Sequence, residues 1–166
     1  MAGESVVRPS ARVVVLDPDG RVLLLGARLS DPDVPPAGVL FWYTPGGGVE
    51  AGESLRTAAV RELAEEIGLH VEPGALEGPV WLRRFVGPFG RLLFDNRETY
   101  FVLRDVVHEV DAAGRTELEV LGDEPHRWWS VDEIVASSEE FAPRELALVL
   151  PALLEGPWAG APRIVS

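Results

Sequence analysis

The sequence predicts an α/β fold, a mixed sheet with helices on both faces. Three observations carry this. Runs of β-branched residues and leucine occupy the first and middle thirds of the chain; a single amphipathic helix interrupts them; and helical patterns close the chain. At 166 residues and 46% hydrophobic, the chain suits one domain spanning residues 1–166, with enough apolar surface for a core.

Taken in order, Ala11–Leu16 and Arg21–Leu25 read as strands around Asp17-Pro18-Asp19-Gly20, a strong hairpin signal. Ser30–Gly38 carries three prolines in nine residues and reads as a loop. Val39–Thr44 reads as a buried strand stopped by Pro45, and the run Gly46-Gly47-Gly48 follows, which by itself is usually a turn. A helix is expected from Ser54 to Ile67, ended by Gly68. Strands are expected at Val80–Val86, Arg91–Phe94, Glu98–Leu103 and Arg127–Trp129. Two helices within residues 131–155 come next. Ser130 and Glu133 have the spacing of a capping box. In Pro143–Glu155, Leu146, Val149, Leu150 and Leu153 share one side, with Pro151 a point of kinking or shortening. Residues 156–166 form a Gly/Pro-rich tail in which Trp158 either packs back on the domain or covers a neighbouring subunit.

Composition narrows the chemistry. With no Cys and no Lys, the chain has no thiolate ligand or nucleophile, no Schiff-base lysine and no P-loop lysine. His70, His108 and His126 are scattered and read as structural or exposed. Carboxylates must do most of the work. The formal charge of −12 opposes nucleic acid as a surface partner. No apolar run reaches the ~18 residues of a membrane span, and the N-terminus lacks the layout of a signal peptide. A cytoplasmic location with no membrane partner is therefore expected.

The informative stretch is GGGVEAGESLRTAAVRELAEEIGL, Gly46 to Leu69. Glu62, Glu65 and Glu66 stand at i, i+3 and i+4, on one side of the helix. Leu55, Ala59, Val60, Leu63 and Ile67 cluster on another, free to enter a core. Like charges so placed destabilise a helix by a few tenths of a kcal/mol per pair, on the order of 0.2–0.5. A hard divalent cation reverses the sign, because it prefers several carboxylate oxygens. Arg61 can hold one of these carboxylates through its fork, and the glycines allow main-chain carbonyls close approach to a ligand. Helices with this charge pattern are more often solvated faces, so the glutamates alone do not decide the matter.

The whole stretch resembles the Nudix box, G-x5-E-x7-R-E-U-x-E-E-x-G-U with U aliphatic. Gly47, Glu53, Arg61, Glu62, Leu63, Glu65, Glu66, Gly68 and Leu69 fill all nine specified positions. The resemblance implies a Nudix-type α/β/α sandwich with the box, residues 47–69, as a loop–helix–loop. It implies a hydrolase cleaving a diphosphate linkage in a nucleoside diphosphate derivative or nucleoside triphosphate, by water attack at phosphorus, with Mg²⁺ or Mn²⁺. Carried over residue by residue, Glu62, Glu65 and Glu66 resemble the metal ligands, with the Gly46 carbonyl beside them. Arg61 resembles the residue that orients a box glutamate, and Glu53 its loop-fixing partner. The base in such enzymes is a box glutamate, here Glu65 or Glu66, or an acid on a distant loop. Among Glu98, Glu119 and Glu124, the last is preferred because it lies shortly before the Trp128 strand.

Substrate identity is less legible. The absence of Cys argues against isopentenyl diphosphate isomerases and zinc-ribbon NADH pyrophosphatases, and Arg84 stands where many ADP-ribose pyrophosphatases carry proline. Phe89, between Gly87-Pro88 and Gly90, is the best exposed candidate for stacking a base, with Arg84 and Glu98 as further substrate contacts. A small-molecule nucleotide is the expected partner, and the resemblance leaves room for a homodimer. The competing class is a catalytically weak Nudix domain that binds and senses a nucleotide metabolite. Sensors of that kind typically lose box glutamates; this box keeps all of them.

Overall fold

The computed structural model describes residues 5–28, 39–89, 91–111 and 125–166, without the side chains of Arg28, Val39, Leu40 and Phe89. The first strand, β1 (Val6–Val15), leads through the Asp17–Gly20 turn to β2 (Val22–Arg28). The Asp17 carboxylate closes that turn by accepting from the amides of Asp19 and Arg21 at 3.0 and 2.8 Å. Only one bridge, Leu16 to Val22, joins the two strands. The hairpin therefore links two sheets instead of extending one.

The first sheet runs in the order β4 (Gly46–Gly48), β1, β6 (Leu92–Leu103), β5 (Glu77–Phe89), β9 (Arg163–Val165). The second runs β7 (His126–Trp129), β2, β3 (Val39–Tyr43), β8 (Phe141–Ala142). Both are mixed. β1 lies parallel to β6 and antiparallel to β4, and β3 lies antiparallel to β2 and parallel to β8.

Strand periodicity sends alternate side chains to opposite faces, and this builds two cores. Val13, Val15, Leu23, Leu25 and Phe101 meet Ala58, Ala59, Leu63 and Ile67 of α1 (Leu55–Ile67) on one face. On the other, Val14, Val22, Leu24, Trp81 and Trp129 meet Leu146, Val149, Leu150 and Leu153 of α3 (Leu146–Leu154). Ile134 of α2 (Val131–Ala136) joins that second core. The layering is the expected α/β/α sandwich.

The helix ends follow from local chemistry. The Ser54 hydroxyl accepts from the Thr57 amide, and Gly68 ends α1 in the left-handed conformation at φ 70°. The capping box at α2 is complete, with Ser130 and Glu133 bonded reciprocally. α3 continues past Pro151 to Leu154, so the proline does not shorten it there.

Several boundaries differ from expectation. β1 starts at Val6, five residues early, because Val6 to Ser10 find partners on β6. The two strands expected before and after Asp95-Asn96 are one strand, β6. Its polar interruption is satisfied internally: Asp95 is 2% exposed and accepts from Arg84 and Arg97. The glycine run is a short strand, not a turn, since β1 supplies its pairing. The tail returns to the sheet as β9, and half-buried Trp158 packs against the second core. The loop expected at Ser30–Gly38 lies outside the described residues. Among the described residues no helix is long and apolar enough to cross a membrane.

Candidate active site

α1 packs its apolar side on β1, which brings its acidic side against β4. The contact is closest at Gly47. A Cβ there would meet the Glu62 carboxylate at 2.6 Å, so only glycine lets this side chain lie against the strand. The Gly46 amide donates to Glu66 Oε2 at 3.0 Å. Behind this wall Arg61 works as a multi-pronged tie. Its Nε and Nη2 hold Glu53 at 2.9 Å each, Nη2 also holds the Gly48 carbonyl at 2.9 Å, and Nη1 donates to Glu62 at 2.9 Å and to Glu65 at 3.3 Å. Glu53 in turn accepts from the Glu50 amide at 2.8 Å, closing the loop between β4 and α1. The bonds of Arg61 and Glu53 tie this loop to the helix.

The wall borders a cleft of about 990 Å³. Glu62, Glu66 and the Gly46–Gly48 backbone form one side; Arg8, Arg12 and Arg83 line it beside them; Phe41, Phe85 and Phe141 supply flat apolar surface. Glu65 lies outside the lining with its side chain 45% exposed. Glu98 lies in the cleft lining and is 5% exposed. Its Oε1 accepts from Arg12 Nε at 3.1 Å, and its Oε2 from Arg83 Nη1 at 3.0 Å and the Tyr100 hydroxyl at 2.9 Å.

Electrostatics separate the acids. Burial pushes the Glu62 carboxyl up, and the charge of Glu65 adds to that against the pull of Arg61. Burial would also raise Glu98, but Arg12 and Arg83 outweigh it and hold that carboxyl below the ordinary range. The Arg61 hydrogen bonds, then the Glu50 amide, hold Glu53 below it as well.

The donor set suits a hard divalent cation: carboxylates on one helical face, a nearby main-chain carbonyl, and one carboxylate whose charge is penalised by burial. Among the described residues no three acidic or histidine side chains converge on a single point. Glu62 and Glu65 turn to Arg61, so binding a cation requires these two side chains to re-aim, while Glu66 is held beside Gly46 through one oxygen.

Of the residues expected at the site, the structure gathers Gly46, Glu62, Glu66 and Glu98 around the cleft and sets Glu53 and Arg61 behind the wall. Arg84 does not line it: strand alternation turns Arg84 to the other face of β5, where it pairs with Asp95 at 2.7 Å, and puts neighbouring Arg83 in the cleft. Phe89 ends β5 opposite Leu92, as strand and not loop, and its side chain lies outside the described residues, as do Glu119 and Glu124. His108 hydrogen-bonds the Ile67 carbonyl at 2.7 Å, while His70 and His126 are exposed. Arg8, Arg12 and Phe141 line the cleft without having been expected from the sequence. A lone arginine within the apolar run of β1 was the available signal for Arg12.

The model of the NUDIX domain matches residues 6–150 of the chain. An RNA pyrophosphohydrolase of Halorhodospira halophila is 30% identical over 164 residues, covering 92% of this chain and 85% of that protein. The RNA pyrophosphohydrolase of Dinoroseobacter shibae is 41% identical over 83 residues, where the chain spans about half of that protein, 48%. Among solved structures, a MutT protein from Methanosarcina mazei superposes with a TM-score of 0.60 at 18% identity, covering 92% of this chain and 99% of that one. The dihydroneopterin triphosphate pyrophosphohydrolase of E. coli gives 0.58 at 22% identity, covering 87% and 95%.

Proposed function

The chain belongs to the NUDIX family and is a Nudix-type pyrophosphohydrolase acting on phosphorus-containing anhydrides; from that premise we propose that it cleaves the diphosphate linkage of a nucleoside diphosphate derivative or nucleoside triphosphate with Mg²⁺ or Mn²⁺. The observation that supports this reading most is the placement of Glu62, Glu66 and the Gly46 backbone along one side of a cleft that also carries arginines and aromatic rings.

Glu62, Glu66 and the Gly46 carbonyl would hold the cation, with Glu65 able to join from the rim. Once bound, the cation supplies charge neutralisation at the diphosphate and an acidified water. Arg8, Arg12 and Arg83 add positive charge for phosphate oxygens. A box carboxylate, Glu65 or Glu66, accepts the proton of the attacking water as its oxygen bonds to phosphorus and the bridging P–O bond breaks. Arg61 and Glu53 keep helix and loop in register throughout.

The test is hydrolysis of a panel of nucleoside triphosphates, dinucleotides, sugar nucleotides and 5′-triphosphorylated oligoribonucleotides, followed by release of phosphate, diphosphate or monophosphate. The last class is included because of the relatives named RNA pyrophosphohydrolase; its cleavage would overturn the expectation that nucleic acid is no partner. Turnover should require Mg²⁺ or Mn²⁺ and stop with chelator. Glu66→Gln should abolish it while the variant melts as the wild type does; wild-type activity in that variant would sink the mechanism.

A further inference from the structure

Arg12 breaks the apolar run Ala11-Arg12-Val13-Val14-Val15, and its strand neighbours Ala11 and Val13 are fully buried. A guanidinium in such a place is costly unless its donors are satisfied. Three bonds take three of its five N–H donors. Nε donates to Glu98 Oε1 at 3.1 Å, and Nη1 donates to the carbonyls of Thr44 at 3.2 Å and Gly46 at 2.9 Å. Glu98 is itself clamped by Arg83 and Tyr100.

The two carbonyls stand on either side of the Gly46 amide, and that amide holds Glu66. Gly46 has φ 144°, a conformation open to glycine but not imposed by any side chain of its own. Pairing of Gly47 with Ala11 sets the plane of the Gly46–Gly47 peptide, and the Arg12 fork holds the carbonyl end of it. Val13 already fixes the preceding peptide, its amide donating to the Pro45 carbonyl at 2.9 Å. Strand pairing thus survives without Arg12; what is lost is the side-chain bond that holds the Gly46 carbonyl itself. A carbonyl oxygen has two lone pairs, so one can take the guanidinium and the other a cation. Glu98 offsets the charge of Arg12, which would otherwise repel that cation.

We propose that Arg12, locked by Glu98, is a positioning residue whose bond steadies the Gly46 carbonyl beside the Gly46–Glu66 contact, and so tunes the affinity of the site for a divalent cation. This rests on the reading of Gly46, Glu62 and Glu66 as the cation's holders.

The experiment is titration of the substrate-free protein with Mn²⁺, following free Mn²⁺ by electron paramagnetic resonance, alongside thermal melting. Arg12→Lys keeps the charge but loses the fork, and Glu98→Gln keeps the shape but frees Arg12. Each should weaken Mn²⁺ binding by about tenfold to a hundredfold, the range for residues that orient metal ligands. The double variant should be no worse than the weaker single, because both cut one chain of bonds. In turnover, the Mn²⁺ needed for half-activation should rise by a larger factor than KM for nucleotide does. Arg21→Gln, at an exposed ion pair, should leave binding unchanged.

Wild-type or tighter Mn²⁺ binding in Arg12→Lys and Glu98→Gln would overturn the proposal, and tighter binding would mean that Arg12 acts only as a repelling charge. If Glu98→Gln melts far below the wild type, Tyr100→Phe replaces it; that variant loosens Glu98 by one bond and should weaken Mn²⁺ binding several-fold. A wild-type protein that binds no Mn²⁺ would overturn the underlying cation reading and this proposal together.

Discussion

Gly47→Ala isolates the closest contact in the cleft wall. Gly47 is outside the positive-φ region, so its backbone accepts alanine without strain. The new Cβ would stand 2.6 Å from Glu62 Oε1 and 2.7 Å from its Cδ. An ordinary contact needs about 3.5 Å, so the carboxylate must retreat by about 0.9 Å. The retreat is cheap for the fold, because a flexible side-chain end moves and no backbone does. It is expensive for function, since Glu62 leaves the wall it shares with Gly46 and Glu66. A displacement near 1 Å can cost about a hundredfold in rate, or about 2.7 kcal/mol in barrier height. The expected result is a melting temperature within about 2 °C of the wild type and kcat down about a hundredfold on the best nucleotide of the panel. Wild-type kcat in a folded alanine variant would refute the reasoning. A loss of rate accounted for by unfolding would refute it equally.

Arg61→Lys should lower kcat by about tenfold or more, because one ammonium cannot reproduce the paired bonds to Glu53 together with those to Gly48 and Glu62; steady-state kinetics at saturating Mg²⁺ measures this, and an unchanged kcat would remove Arg61 from the site. Asp95 offers a pH test. Hydrogen bonds from Arg84 and then Arg97 lower its carboxyl from the ordinary 3.8 to about 2. A depressed folded value stabilises above the unfolded value and is lost as pH falls through the folded one. Wild type should therefore melt above Asp95→Asn at neutral pH, with the gap closing between about pH 4 and pH 2; a gap independent of pH would rule out the ion pairs as its source.

Features set by short stretches of chain were legible. Ser54 and Gly68 bracket α1 because capping involves residues within one turn. The stripe Leu146, Val149, Leu150, Leu153 names the buried face of α3, since a helix repeats locally. The box placed Glu62, Glu66, Gly46, Arg61 and Glu53 in one neighbourhood. β8 and β9 were not legible. Phe141–Ala142 is a strand only because the edge of β3 accepts it, and Arg163–Val165 only because β5 does. The joined β6 was hidden by Asp95 and Asn96; the burial of Asp95 depends on Arg84 from across the sheet and Arg97 along the strand.

The sequence by itself determined the family, the box and its helix, and the layered α/β plan. All of these rest on spacings within one turn, one hairpin or one motif. Tertiary structure alone decided which charges distant in the chain meet. It turned Arg83 into the cleft and Arg84 out of it, by the alternation of a strand whose register is set by β6. It also joined Arg12, Gly46 and Glu98, residues 34 and 86 positions apart in the chain. Long-range hydrogen bonds of this kind leave no local trace, because their geometry belongs to the packing of sheets and not to any stretch of residues.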